Sequence, residues 1–86
     1  MSDRLGAADA EPEEVHRIAC HLGAVLAARG VTLTELSIRT GITMANLSIL
    51  KNNRAKAIRF TTLTLVCDAL GATPAELFTV TPADGA

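Results

Sequence analysis

Arg39, Lys51, Arg54, Lys56 and Arg59 stand in a stretch between Glu35 and Asp68 that holds no acid. Guanidinium and ammonium groups at such short intervals, with the amides of Asn52 and Asn53 among them, suit the holding of a polyanion's oxygens. Bond-breaking chemistry needs more, and no nucleophile and base stand in a recognisable arrangement. The clearest Thr residues, Thr32, Thr43 and Thr73, fall where helices should begin. An enzyme is therefore not expected. His16, Cys20 and His21 raise the question of a metal, since His16 and Cys20 would share a helix face at i, i+4. A metal centre needs further ligands, and Cys67 is the one obvious candidate. Structural packing is the reading adopted, with no metal, cofactor or small-molecule ligand indicated. A Cys20–Cys67 disulfide has no support in a reducing compartment.

The elements that must position the bases can be read from caps and periodicity. Residues 1–10 carry no apolar period and read as an acidic, mobile arm. Structure is expected from Glu11-Pro12-Glu13-Glu14, with Pro and acids in a first helical turn. Val15, Ile18, Leu22, Val25 and Leu26 continue at helical spacing to Arg29 and Gly30, making this the longest helix expected. Thr32-Leu33-Thr34-Glu35 fits a capping box for a second helix that ends at Gly41. Thr43 caps a third helix, closed by Asn52 and Asn53, since Asn tolerates left-handed geometry. Arg54 to Ile58 reads as a loop. A fourth helix runs from about Phe60 to Leu70, burying Leu63, Val66, Cys67 and Leu70, and Gly71 stops it. Thr73-Pro74-Ala75-Glu76 starts a short fifth helix carrying Leu77 and Phe78. The domain is taken as residues 11–80, with a frayed tail over 81–86. The fold expected is all-α, a compact five-helix bundle without strands.

Composition agrees with that architecture and narrows the function. Apolar residues make up 49% of 86, enough for a core, and Phe60 and Phe78 are the only aromatics, so the core must be aliphatic. Net charge is −1, but it is unevenly placed. Residues 1–14 set Asp3, Asp9, Glu11, Glu13 and Glu14 against Arg4, a net −4. Residues 15–78 set Arg17, Arg29 and the five bases above against Glu35, Asp68 and Glu76, a net +4. Attraction to a polyanion depends on that placement rather than on the sum. No stretch is apolar for long enough to span a membrane, and the acidic N-terminus is not a secretion signal, so a cytoplasmic setting is expected.

Two helices joined by a short glycine-containing turn form a helix-turn-helix, whose second helix enters the DNA major groove. At 100° per residue, Leu47 and Leu50 fall on the buried side of helix three. Ala45, Ser48, Ile49 and Asn52 fall opposite, flanked by Met44 and Asn46. That face is predicted to meet double-stranded DNA.

From about Val15 to Phe78 the chain resembles the Cro and phage-repressor (XRE-like) helix-turn-helix family, with its lambda-repressor-like fold. The resemblance is carried by LTELSIRTGITMANLSILKNNR, by Arg59-Phe60, and by TLTLVCDALGATPAELF. It implies a transcription regulator, with Thr43, Met44, Ala45, Asn46 and Ser48 at the base-facing end and Ile49 beside them. By the same resemblance, Asn52, Lys56 and Arg59 meet phosphates, and Arg54 takes a place where Lys is common. Arg39, pointing outward, and Lys51 complete the phosphate-contacting set. Asn53 replaces the family's usual Gly. Met44 and Ala45 stand where Gln or Arg is frequent, and neither makes the bidentate bonds that read purines. Modest base specificity is thus expected, with DNA shape and phosphate contacts contributing more. For a dimer neutralising roughly eight phosphates, log K should fall with log salt at a slope of about −7.

A small-residue stripe (Cys20, Gly23, Ala24, Ala27) suits close packing, within the chain or against a second copy. Leu77, Phe78 and Val80, taken as an exposed end, also suggest a homodimer. Repression by occupying a promoter is the simplest mechanism for a chain with no room for an effector domain. The competing reading is a protein-interaction module of the same fold, antitoxin-like or an accessory subunit. The arm's acids could then contact a partner or screen the basic face, although a solvated arm is the reading favoured.

Overall fold

A computed structural model describes residues 16–82. Its elements in chain order are β1 (Ile18–Cys20), α1 (Leu22–Arg29), α2 (Leu33–Thr40), α3 (Met44–Lys51), α4 (Phe60–Leu70), α5 (Pro74–Leu77) and β2 (Phe78–Val80). Each helix contributes aliphatic side chains to one core. Leu22, Leu36, Val66, Leu47 and Leu77 are sealed from solvent, with Val25, Leu26, Leu50, Cys67 and Leu70 around them. Leu63 is only half-buried.

The fold is mostly helical, as expected, but a small two-stranded sheet corrects the expectation of no strands. Strand β1 pairs antiparallel with β2 in the register Ile18↔Val80, Ala19↔Thr79, Cys20↔Phe78. Ile18, Cys20 and Leu22 alternate along the chain, while Ile18 and Leu22 also stand at i, i+4. So short a run satisfies both periods, and the distant partner strand decides between them. His21 consolidates the outcome: its N–H donates to the Leu77 carbonyl at 2.7 Å and its ring lies 2.7 Å from the Thr79 hydroxyl. Consequently α1 starts only at Leu22, and α4, not the first helix, is the longest among the described residues. Leu77 is core rather than an exposed end, although Val80 is exposed. The arm over 1–10, the expected helix start near Glu11, and residues 83–86 lie outside the described residues. Thr81, assigned to the tail on sequence grounds, donates its N–H to the Arg17 carbonyl at 2.7 Å and accepts from the Arg17 guanidinium at 2.8 Å.

Candidate nucleic-acid interface

The α2–turn–α3 unit is set by short-range bonds. Thr32 and Glu35 form the reciprocal capping box, with the Thr32 hydroxyl accepting from the Glu35 N–H at 3.0 Å and the Glu35 carboxylate from the Thr32 N–H at 3.2 Å. Gly41 takes φ 78°, the left-handed value that reverses the chain without strain. The turn is then fastened by hydroxyls. Ser37 donates to the Ile42 carbonyl, and Thr40 donates to Leu36 while accepting from the Ile42 N–H. Thr43 caps α3 by accepting from the Asn46 N–H at 3.2 Å. The orientation of α3 against α2 is thereby set before any ligand arrives.

Along α3 the faces fall as the periodicity predicts. Leu47 and Leu50 are buried, while Ala45 and Asn46 are exposed and Met44 and Ile49 are each more than two-fifths exposed. Ser48 is half-buried and accepts a hydrogen bond from the Asn52 amide at 3.1 Å. That bond leaves the Ser48 hydroxyl proton to donate outward and the Asn52 carbonyl oxygen unspent by it. The helix closes in a Schellman arrangement: Arg54 N–H reaches the Ile49 carbonyl at 2.9 Å and Asn53 N–H the Leu50 carbonyl at 3.0 Å. Asn53 holds φ 62° there, and its side chain accepts from the Cys20 N–H at 3.0 Å.

Beyond Asn53 the loop bends back beside α3 and encloses an open groove of about 560 Å³. Asn46 and Ile49 line it from the helix, Arg54, Lys56 and Arg59 from the loop, and Thr62 from α4. All three loop bases are exposed. Among the described residues the ion pairs are Arg29–Glu76 and Arg39–Glu35, so neither draws on the groove's bases. Arg59 is the N-cap of α4 and supplies no side-chain acceptor. The first-turn N–H groups of α4 therefore add a partial positive charge to the same side as the three cations.

Two expected phosphate contacts lie elsewhere. Arg39 donates to the Ala69 carbonyl at 3.3 Å and stands 3.7 Å from Glu35, tying α2 to the far end of α4. At 1.5 Å per residue, that end is about 15 Å along the helix from Arg59. Lys51 lays its stem against Gly23, where a Cβ would meet its Cε at 3.4 Å, so its ammonium leaves on the α1 side. Thr62, near the start of α4, lines the same groove and stands outside the set expected from the sequence. Its signal was the spacing of Arg59 and Thr62 across the start of an amphipathic run.

The metal question also takes another form. His16 precedes a strand rather than sharing a helix face with Cys20. Its Nδ1 accepts from the Ile18 N–H at 3.1 Å and its Nε2 lies 3.3 Å from the Ala55 carbonyl, which fits the Nε2–H tautomer donating to that oxygen. Both cysteines are free thiols, each raised in pKa chiefly by burial.

No helix among the described residues is long and apolar enough to cross a membrane. Comparison with known proteins agrees with the geometry. A curated protein of Bacillus subtilis (strain 168), described as an uncharacterized HTH-type transcriptional regulator, YozG, is 53% identical over 60 residues, covering 70% of this chain and 71% of the relative. No solved structure gives a significant match. The family described as Cro/C1-type HTH DNA-binding domain matches residues 21–83. That span takes in the helix-turn-helix, the basic loop and α4, and the chain belongs to this family of DNA-binding domains.

Proposed function

We propose that this protein is a transcription regulator that inserts α3 into the major groove and grips the flanking phosphates with the loop over 51–59. The observation that carries the reading is the groove that sets Arg54, Lys56 and Arg59 beside the exposed Asn46 and Ile49 of α3. Thr43, Met44, Ala45, Asn46, Ser48 and Ile49 form the base-facing set. Of these, Asn46 and Ser48 supply hydrogen bonds, while Met44, Ala45 and Ile49 suit thymine methyls. Asn52, Arg54, Lys56 and Arg59 hold phosphates, and Arg39 and Lys51 reach neighbouring stretches of backbone from outside the groove. The relative's designation as a regulator supports transcription as the setting. Repression by occupancy, a homodimeric state and action in the cytoplasm complete the proposal.

Titration of labelled duplex DNA with the wild type and an Arg54, Lys56, Arg59 triple alanine variant at several salt concentrations tests it. Each phosphate contact removed should flatten the log K against log salt slope by about 0.9. Equal weak binding and equal slopes for both proteins would overturn the reading. It would favour a protein-interaction module instead, for which the exposed Met44 and Ile49 would be contact residues.

A further inference from the structure

Leu63 belongs to the apolar run of α4 and is only half-buried, and Cys20, Ile58 and Phe78 share that state although each packs against the core. One cavity accounts for all four. It has a volume of about 320 Å³ and opens between β1, the end of α3 and loop residues 55–58. The four side chains line it together with Ile18 and Leu50, so its wall is mostly apolar. A well-packed domain leaves few voids larger than a water molecule. A concavity of this size, apolar with a few polar groups, is the form that small-molecule sites take.

The polar residues on its wall, His16, Asn53 and Lys56, are exposed and therefore stand toward its mouth. His16 is committed at both ring nitrogens, to the Ile18 N–H and the Ala55 carbonyl. The side-chain oxygen of Asn53 accepts from the Cys20 N–H, which leaves its amide N–H groups to donate. Lys56 makes no ion pair among the described residues. The uncommitted charge at the mouth is thus positive. At about 30 Å³ per molecule of liquid water, the volume matches about ten non-hydrogen atoms.

We propose that this cavity binds a small amphipathic carboxylate of about ten non-hydrogen atoms, its apolar part inside and its headgroup on the Lys56 ammonium and the Asn53 amide. Residues 55–58 line both this cavity and the groove beside α3, so the loop is the wall between them. A carboxylate held by Lys56 withdraws that cation from a DNA phosphate, and ligand and DNA compete for it. Ligand capture stands independently of the DNA-binding reading; the competition rests on that reading.

Octanoate is the probe, with hexanoate and dodecanoate to vary length and 1-octanol to remove the charge, all below their aggregation concentrations. Titrated into the full chain without DNA, octanoate should move the NMR signals of Ile18, Ile58, Leu63 and Phe78 saturably. Affinity should rise about fourfold per methylene from hexanoate to octanoate and level off by dodecanoate, when the cavity is full. Lys56→Gln should weaken octanoate about threefold and leave octanol unchanged. Cys20→Leu narrows the cavity at a residue that does not line the groove, so it should exclude octanoate and leave DNA binding as in the wild type. With duplex DNA, octanoate but not octanol should weaken binding and flatten the log K against log salt slope by about 0.9. No saturable movement at the four residues would overturn the site, and the wild-type titration decides this even if Cys20→Leu fails to fold. Equal affinity for octanoate and octanol would overturn the carboxylate assignment. Saturable octanoate binding by a chain that does not bind DNA would support the site and overturn its link to DNA.

Discussion

Asn53 joins three parts of the molecule through one residue. Its backbone at φ 62° ends α3, and its side chain accepts the Cys20 N–H of β1. Its position also sends Arg54 into the groove. Glycine would keep the backbone and lose the side-chain bond, whereas alanine would lose the bond and strain the backbone. The left-handed region costs an ordinary side chain about 1–2 kcal/mol, and a net hydrogen bond contributes about 1 kcal/mol. Asn53→Gly should therefore fall within about 1 kcal/mol of wild type in urea unfolding, and Asn53→Ala about 1–3 kcal/mol below it. Equal stabilities for the two variants would show that left-handed geometry does not limit this position. The backbone role was legible from the Asn-Asn pair after a buried leucine. The bond to Cys20 was not, because its donor lies 33 residues earlier in a strand that local periodicity had assigned to a helix.

The capped helices α2, α3 and α4 follow from local signals, and for that reason they were readable. Thr32 with Glu35, Gly41, Thr43 and Gly71 all act within one turn of their positions. The β1–β2 pair depends on contacts between the two ends of the described chain, which no local window contains. Where α5 begins, local and tertiary bonds share a residue. The Glu76 carboxylate accepts the Thr73 N–H at 2.8 Å and pairs with Arg29 at 3.3 Å. The Thr73 bond, more than Arg29, holds its pKa below the ordinary carboxylate range. A lowered folded-state pKa gives stability that is full above the unfolded value, about 4.3 for Glu, and lost as pH falls through the folded value. Glu76→Gln should thus melt below wild type at neutral pH, with the gap narrowing as acidification below the ordinary carboxylate value protonates Glu76 in both states. A gap that persists in acid would mean that the shape of the carboxylate, not its charge, is what the α5 start requires.

At the scale of the whole molecule, one copy has a limited vocabulary for reading DNA. On the proposed reading, Asn46 and Ser48 are the polar side chains at the base-facing end of α3, and Met44 and Ala45 cannot make bidentate contacts. A good bidentate pair contributes about 1–3 kcal/mol of discrimination, so a single α3 leaves specific sites little separated from random DNA. Pairing two copies about a two-fold axis doubles the base contacts and restricts them to sites with matching half-sites. The sheet provides one apolar surface for such a pairing, since Ile18 and Val80 oppose each other in register and both are exposed. Sites selected from a random duplex pool should accordingly be palindromic, with half-site centres about 34 Å apart, or about 10 base pairs. Sedimentation of the protein with such a duplex should give two chains per site. A non-palindromic site bound by one chain would leave the phosphate grip intact and remove the dimer, shifting the burden of selectivity onto DNA shape.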